Sequence, residues 1–282
     1  MRIGLVSPIV TAVPGAHEPW EREAGIEDLA RIAVAADRLG FHHLTCSEHV
    51  AVPAEVAERR GATYWDPLAT FGYLAAVTTR IRFATQVLVL GYHHPLAIAK
   101  RYGTLDRLSG GRLILGLGVG SLQEEFDLLG AEFADRGAHA DDAMRALRAG
   151  LSRREPAYDG PHYSFDGFVV DPWAEQERVP LWVGGRTGRS LRRAVTLGDG
   201  WLPFGLTLQQ QRELLDAAEV PDGFEVVLGT SRALDPGGDP DRTAEQLAAT
   251  TRAGATIVSA RIAAGSASDY IEQLEALAAL NH

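Results

Sequence analysis

Strand-like and helix-like segments alternate along the whole chain, and this alternation limits the possible folds more than any other feature. Each short apolar run is followed by a stretch with the apolar spacing of a helix. The predicted strands are Arg2–Ser7, His43–Cys46, Ile81–Leu90, Leu113–Leu117, Pro180–Val183, Gly200–Leu202, Glu225–Gly229 and Thr256–Ala260. The predicted helices are Ile26–Leu39, Asp66–Thr78, Leu96–Leu108, Leu122–Leu129, His139–Leu151, Gly188–Leu197, Leu208–Ala218, Thr243–Arg252 and Ala267–Leu280.

Eight strand–helix steps in one chain predict an α/β fold of the (β/α)8 barrel type. The alternative is an open doubly wound sheet, which would be unusual with eight parallel strands and no second domain. With 46% hydrophobic residues, residues 1–282 are expected to form one domain with a large core. Residues 152–179 are rich in proline, glycine and aromatic residues, and we expect them to form an insertion, as a short hairpin or excursion.

Charge and cysteine content restrict the partners and the compartment. The formal net charge of −10 makes nucleic acid and anionic membranes poor partners. The single cysteine, Cys46, excludes an internal disulfide and fits a reducing environment. The chain shows neither a signal-peptide pattern at its start nor an apolar run of the roughly 20 residues that a membrane span needs. A cytoplasmic protein is expected.

A run of glycines, Gly116, Gly118 and Gly120, closes the predicted fourth strand. The spacing is not that of a dinucleotide-binding turn, and the run does not lie in a first βαβ unit. One interpretation is that the bare backbone at the carboxyl end of this strand accepts a flat cofactor or a phosphate. The other is that the glycines only relieve crowding inside the barrel. The spacing alone does not decide between them.

Ionisable residues follow the predicted second and third strands. Glu48 and His49 come directly after the second strand, where a barrel enzyme has its active site. An imidazole that titrates near neutrality is suited to acid–base chemistry. Adjacent residues of an extended segment point in opposite directions, so these two side chains need not touch. His93 and His94 lie nearby, but no metal-ligand spacing accompanies them, and no metal site is predicted.

Two further segments belong to the predicted mouth of the barrel. Gly184, Gly185, Arg186 and Thr187 lead from the fifth strand into a helix, and free amides, a helix N-terminus and a guanidinium together suit a phosphate group. The alternative is an ordinary turn with surface arginines. The charged segment Ala51–Trp65 is expected to be a long loop that serves as a lid.

Several blocks, in the right order, make the chain resemble the bacterial luciferase-like family of flavin and deazaflavin oxidoreductases. The resemblance covers nearly the whole length. The blocks are Ser47–His49, Leu105–Arg112, Gly116–Ser121 with Glu124–Phe126, Pro180–Gly185 and Gly198–Trp201.

The resemblance implies a barrel with a flavin or deazaflavin ring in its mouth. It also implies a non-proline cis peptide near Gln86 and Val87, in a bulge of the third strand behind the ring. His49 matches the active-site histidine of the family. Glu48 matches an acidic position that contacts the ring in deazaflavin members. The residues expected to bind the cofactor are Glu48, Gln86, Val87, Gly118, Val119, Gly120, Ser121, Gly184, Gly185, Arg186 and Thr187. Some sugar-phosphate-oxidising relatives have a glutamate where this chain has Ser121, so the resemblance does not extend to their mechanism.

Three functions are consistent with the resemblance. The first is an oxidoreductase that uses coenzyme F420 to transfer a hydride to or from a small organic substrate, with His49 exchanging a proton. The second is a monooxygenase that uses reduced FMN and oxygen. The third is a cofactor-binding barrel without turnover, which the presence of His49 disfavours. The family also implies a homodimer formed by outer helices, and the alanine-rich segments Ile26–Leu39 and Asp66–Thr78 permit close helix contact.

Overall fold

The predicted strands form a closed parallel barrel surrounded by helices in the computed structural model, which describes residues 1–281. The strands are β1 (Arg2–Leu5), β2 (His43–Cys46), β3 (Arg82–Thr85), β4 (Leu88–Val89), β5 (Leu113–Gly118), β6 (Tyr158–Asp159), β7 (Ser164–Phe165), β8 (Leu181–Gly185), β9 (Gly200–Pro203), β10 (Glu225–Gly229) and β11 (Ile257–Ala260). The α-helices are α1 (Ile26–Leu39), α2 (Ala54–Arg60), α3 (Pro67–Val77), α4 (Pro95–Ser109), α5 (Gln123–Leu129), α6 (Arg136–Gly150), α7 (Gly188–Leu197), α8 (Leu208–Asp216), α9 (Pro240–Arg252) and α10 (Ala267–Leu280).

The barrel closes because β3, at one end of the strand order, also pairs with β5 near the other end. The sheet runs in the order β3-β2-β1-β11-β10-β9-β8-β5-β4, and β3 also pairs with β5. Every pairing in this sheet is parallel. The predicted (β/α)8 barrel is therefore confirmed, and the carboxyl ends of all its strands surround one mouth.

The third barrel strand is interrupted. Within the predicted range Ile81–Leu90 the structure has two short strands, β3 and β4, separated by the break that the resemblance implies. Ala84 of β3 lies opposite Ile114, whereas Leu88 of β4 lies opposite Leu117. Between these pairs the third strand has one residue more than β5, which is the pattern of a β-bulge. The peptide bond between Gln86 and Val87, inside this bulge, is cis, as the resemblance implies.

Alternate residues of the strands pack inside the barrel and against the helices outside it. The interior cluster contains Ala84, Ile114, Trp182, Leu202, Val227 and Ile257. The neighbouring strand residues, such as Leu44 and Val258, belong to the larger core between the barrel and its helices. Because successive side chains of a strand point to opposite faces, every second strand residue faces the barrel interior, and those near the carboxyl ends of the strands face the mouth.

Segments between the barrel steps differ in how well they were predicted. Helix α3 begins as expected: the Asp66 carboxylate accepts a hydrogen bond from the Ala69 N–H at 2.8 Å, and Pro67 occupies the first turn. The segment Ala51–Trp65 is not a continuous loop, since it contains α2. This helix has no buried residue, so its sequence shows no apolar periodicity that would reveal it.

The segment 152–179 contains the expected hairpin, formed by β6 and β7. Asp142 of α6 accepts hydrogen bonds from the N–H groups of His162 and Tyr163, at 2.9 and 3.0 Å. The hairpin is thereby attached to the outside of the barrel. Over residues 1–281, the model contains no helix with the length and apolar character required to cross a membrane.

Candidate active site

His49 and Glu125 form an acid–base pair at the mouth of the barrel. His49 lies just beyond β2, and Glu125 lies in the first turn of α5, after β5. The His49 Nδ1 atom is 2.7 Å from Glu125 Oε2. The Glu125 side chain is fully buried, whereas the His49 side chain remains 20% exposed. The histidine is thus held from inside the protein and open to the mouth.

Four donors converge on the Glu125 carboxylate. Besides His49, the Tyr92 hydroxyl donates to Oε2 at 2.7 Å, and the N–H groups of Val50 and Ala51 donate to Oε1 at 2.5 and 3.1 Å. Burial alone raises the pKa of the Glu125 carboxyl, but the hydrogen bonds from Tyr92, His49 and Ala51 outweigh it, and the pKa is lowered. The carboxylate is therefore ionised at neutral pH.

An ionised Glu125 determines which nitrogen of His49 carries a proton. A carboxylate only accepts hydrogen bonds, so Nδ1 of His49 must donate. The other nitrogen, Nε2, makes no hydrogen bond with residues 1–281 and is the atom that can gain or lose a proton. The Tyr64 ring packs edge-on against the imidazole, with ring centroids 4.5 Å apart. The ring is therefore fixed in orientation from two sides.

Glu48 points away from His49 and has different partners. One oxygen of Glu48 accepts a hydrogen bond from the Val89 N–H at 2.7 Å, and the other lies 2.7 Å from His93 Nε2. The expectation that Glu48 and His49 need not touch is confirmed. The Glu48 side chain is only 7% exposed, and it stabilises β4 behind the mouth. Its contact with a cofactor ring stays a prediction.

The glycines at the end of β5 and just beyond it make room for neighbouring protein atoms. A Cβ on Gly116 would lie 1.9 Å from the Thr85 carbonyl oxygen, and one on Gly118 would lie 2.5 Å from Val87 Cγ2. A Cβ on Gly120 would lie 2.4 Å from the Phe126 ring. Relief of crowding, the second of the two interpretations, therefore explains these glycines. Contact of the backbone at Gly118, Val119, Gly120 and Ser121 with a cofactor stays a prediction.

Val87 fills the floor of the mouth between two strands. Its other methyl group would lie 2.7 Å from a Cβ on Gly184, so both β5 and β8 have a glycine where they meet this side chain. Next to it, the buried Oε1 atom of Gln86 has no hydrogen-bond partner among residues 1–281. Buried polar atoms are usually hydrogen-bonded, so this oxygen fits a donor on a bound ring. The floor is thus mainly apolar with one free acceptor.

The turn between β8 and α7 has the donors that a phosphate requires. Gly185 has φ +137°, and a Cβ there would lie 2.5 Å from Ser190. Arg186 is exposed, and its guanidinium forms no ion pair or hydrogen bond with residues 1–281. Thr187 caps α7, with its side chain accepting from the Ser190 N–H. The residues present fit a phosphate group, and their contact with a cofactor stays a prediction.

Among residues 1–281, no group of three or more histidine, cysteine, aspartate or glutamate side chains is arranged to hold a metal ion.

Glu125 is the site residue that the sequence analysis missed. Its block was recognised, but it was assigned no role. A signal was present: Leu122, Glu125, Phe126 and Leu129 share one helical face, and Glu125 is the one charged residue on that apolar face. Tyr64 and Tyr92 had no comparable periodic signal, because Tyr64 lies in an isolated β-bridge with Thr11 and Tyr92 in a three-residue 3-10 helix.

The fold and this site define an α/β-barrel protein with a histidine–glutamate pair and a glycine-containing turn at the carboxyl ends of its strands. The chain belongs to the luciferase-like monooxygenase family, whose family model matches residues 1–221.

Relatives from Mycobacterium tuberculosis are similar over different shares of the chain. The uncharacterized protein Rv0953c is 30% identical over 268 residues, covering 89% of this chain and 92% of that protein. The uncharacterized protein Rv0940c is 30% identical over 186 residues, and the match spans 62% of this chain and only 64% of the relative's length. Rv3520c, provisionally named a coenzyme F420-dependent oxidoreductase, is 33% identical over 187 residues, which are 62% of this chain and 50% of that one.

Solved structures share the fold at low sequence identity. The coenzyme F420-dependent tetrahydromethanopterin reductase of Methanopyrus kandleri has a TM-score of 0.72 and 16% identity, covering 98% of both chains. The oxygenating constituent of a diketocamphane monooxygenase from Pseudomonas putida, in complex with FMN, has a TM-score of 0.73 and 16% identity, covering 99% of this chain and 97% of that one. The fold is thus compatible with either cofactor.

Proposed function

We propose that this protein is an F420-dependent oxidoreductase, in which hydride transfer at the cofactor is accompanied by proton exchange at His49. The observation that carries the proposal is the His49–Glu125 pair, at 2.7 Å, at the mouth of a luciferase-like barrel. A deazaflavin supplies hydride transfer with little oxygen chemistry, and the protein must then supply orientation and a proton donor or acceptor. Similarity to Rv3520c supports F420 over other cofactors.

The roles of the site residues follow from their contacts. Nε2 of His49 exchanges a proton with the substrate, while the Glu125 carboxylate accepts a hydrogen bond from Nδ1–H and thereby fixes the orientation of the ring. Arg186 and the N-terminus of α7 would bind the cofactor's phosphate. Val87 and Gln86 would contact the ring, through an apolar surface and a free acceptor.

A monooxygenase that uses reduced FMN is the second candidate. It is favoured by similarity to the 4-hydroxyprotoasukamycin monooxygenase of Streptomyces nodosus subsp. asukaensis, which is 30% identical over 175 residues. That match covers 62% of this chain and 42% of the relative. In that function Nε2 of His49 would act as a base during oxygen insertion.

A turnover assay tests the leading proposal. The purified protein is incubated without oxygen with oxidised F420 and a panel of small alcohols, or with reduced F420 and a panel of aldehydes, ketones and enones. Absorbance of the deazaflavin reports hydride transfer. With a substrate so identified, His49→Ala should lower the single-turnover rate about a hundredfold or more, the usual scale for a positioned acid or base.

A matched control comes from the neighbouring histidine. His94→Asn removes an exposed imidazole but keeps an acceptor for the Leu96 N–H at the start of α4. It should leave the rate unchanged. A His49→Ala rate within about threefold of wild type, with F420 still bound, would exclude His49 as the proton-exchanging group.

A further inference from the structure

A cavity of about 680 Å³ lies outside the barrel wall, at the end of the molecule opposite to the mouth. Its walls come from the last turns of α6 and α7 and from the segment between α6 and the start of β6. Arg178 and Gly198 also line it, and each lies a few residues before a strand, β8 or β9. His49, Glu125 and Arg186 all follow strands, so the cavity is separate from the candidate active site. Its volume is in the range that small-molecule ligands occupy.

Four arginines line this cavity, although the chain as a whole has a formal net charge of −10. They are Arg145, Arg148, Arg153 and Arg178. The one carboxylate among the lining residues, Glu155, already pairs with Arg154 at 3.0 Å. Clefts lined by one sign of charge attract ions of the opposite sign, so the cavity favours an anion.

Arg148 and Arg178 share a single counter-charge, the carboxylate of Asp199. Arg148 donates to Asp199 Oδ2 at 2.6 Å, and Arg178 donates to Oδ1 at 2.7 Å. The Leu181 N–H also donates to Oδ2, at 2.8 Å, which attaches the carboxylate to the start of β8. Both guanidiniums are thus held in place, while one negative charge balances two positive charges.

Arg145 and Arg153 have no internal counter-charge. Both side chains are exposed, and neither guanidinium forms an ion pair or a hydrogen bond with residues 1–281. Arg145 and Arg148 are three residues apart on α6, so they lie on the same face of the helix. Each free guanidinium keeps five N–H donors, in a planar arrangement that fits the oxygens of a phosphate or a carboxylate.

Apolar side chains form much of the remaining wall. Met144, Leu197 and the ring of Tyr158 line the cavity beside the arginines. The Tyr158 hydroxyl donates to Asp142 Oδ1 at 2.5 Å, which fixes the position of the ring. A ligand that fills the cavity therefore needs an apolar portion as well as an anionic group.

We propose that this cavity binds a small phosphate-bearing molecule with an apolar or aromatic portion, at a site separate from both cofactor and substrate. A phosphate has up to two negative charges and three acceptor oxygens, which suits several guanidiniums better than one carboxylate does. Arg145 and Arg153 would donate to the phosphate, and the other two arginines add positive charge. Met144, Leu197 and Tyr158 would contact the apolar portion.

Phenyl phosphate and inorganic phosphate are the probes for the first experiment. Thermal unfolding is followed at increasing probe concentration and constant ionic strength, in an Arg186→Ala background that removes the other expected anion site. Both probes should raise the melting temperature. Phenyl phosphate should bind at least about threefold more tightly, because its ring contacts the apolar wall. Equal affinity of the two probes, or protection by neither, overturns the proposal.

Single arginine variants in the same background locate the site. Arg145→Ala and Arg153→Ala should each weaken the apparent affinity for phenyl phosphate about tenfold, the scale of one charge-assisted contact. Arg242→Ala removes the same charge from an exposed position of α9 and should have no effect. Equal affinity in all three variants overturns the proposal, even if Arg145→Ala and Arg153→Ala lower the melting temperature without ligand. That result would show that these arginines only complement the negative C-terminal ends of the helices.

Cofactor titrations of the otherwise wild-type protein separate this cavity from the candidate active site, because F420 and FMN also carry phosphate groups. Arg153→Ala should leave the affinity for either cofactor within about threefold of wild type. If Arg153→Ala weakens F420 binding as much as Arg186→Ala does, the cavity holds the cofactor and the proposal of a separate site is overturned. If the protein binds neither cofactor, yet protection by phenyl phosphate depends on Arg153, the proposed function fails and the proposal for the cavity stands.

Discussion

His49 Nδ1 lies 2.7 Å from Glu125 Oε2 although 76 positions separate the two residues in the sequence. The contact joins the segment after β2 to the helix after β5, across the intervening third strand. It gives the histidine the carboxylate partner that its neighbour Glu48 does not provide. The pair therefore depends on closure of the barrel rather than on local sequence.

Glu125→Gln should slow turnover and lower stability together. The glutamine amide has one oxygen for four converging donors, and its NH2 group would face at least one of them. Each lost hydrogen bond to a charged group is worth about 1.5–3 kcal/mol, so we expect a turnover rate at least tenfold lower and a lower melting temperature. Tyr92→Phe, which removes one donor only, should have the smaller effect on both. Equal rates in the wild type and Glu125→Gln would show that Glu125 does not assist His49.

Arg186→Ala should weaken cofactor binding without changing the fold. The Arg186 side chain is exposed and unpaired among residues 1–281, so its removal disturbs no internal contact. A charge-assisted contact to phosphate corresponds to roughly ten- to a hundredfold in affinity. Affinity and melting temperature should be measured on the same preparations, with Arg242→Ala as the control. Wild-type affinity in Arg186→Ala would place the phosphate elsewhere.

Stability should decrease as the pH falls from about 6.5 toward 4, because of two histidines of the barrel wall. Burial lowers the pKa of His42 to about 4, with the charges of Arg82 and Arg2 acting in the same direction, and burial lowers the pKa of His43 well below its ordinary value. Unfolded histidines titrate near 6.5, so below that pH the unfolded state binds more protons. The loss should be up to about 1.4 kcal/mol per pH unit for each imidazole.

Urea unfolding at pH 7.5 and pH 5 measures this dependence. The His43 ring is fully buried and contacts the Trp182 ring edge-on, at 5.1 Å between centroids. His43→Phe keeps an aromatic ring there and removes its proton-binding group, so the difference in stability between the two pH values should shrink. His94→Asn, at an exposed position, should leave the difference unchanged. An unaltered difference in His43→Phe would contradict the assignment.

We propose a homodimer that packs through α3. This helix has no charged residue, yet Tyr73 and Val77 are 45% and 41% exposed. An apolar outer face of this kind is expected to be covered. Light scattering at micromolar concentration should give twice the 30.3 kDa chain mass, and Tyr73→Glu should give one chain mass. Val169→Glu, at a similarly exposed position of the insertion, is the control. A wild-type mass of one chain would refute the dimer.

The barrel was predictable because each of its steps is local. Strand runs such as Leu113–Leu117 and helix starts such as Asp66-Pro67 are readable from a few adjacent residues. The break at Gln86 and Val87 was not visible as periodicity, since the bulge adds only one residue to a strand-like segment. Only the resemblance indicated it. Helix α2 was missed because it buries no residue.

The sequence predicted His49 of the candidate site but not its partner Glu125. His49 could be found because it directly follows a strand. The contact with its partner Glu125 depends on which strands become neighbours, and a single sequence does not show this. The glycines of β5 were seen, but their packing against Thr85 and Val87 required coordinates.

Titration of the purified protein with F420 and, separately, with FMN tests the central claim most directly, because it needs no knowledge of the substrate. Fluorescence of the bound and free cofactor gives both dissociation constants on one preparation. The account predicts saturable F420 binding at one site per chain, at least tenfold tighter than FMN. Tight binding of FMN with no binding of F420 would contradict it and favour the monooxygenase.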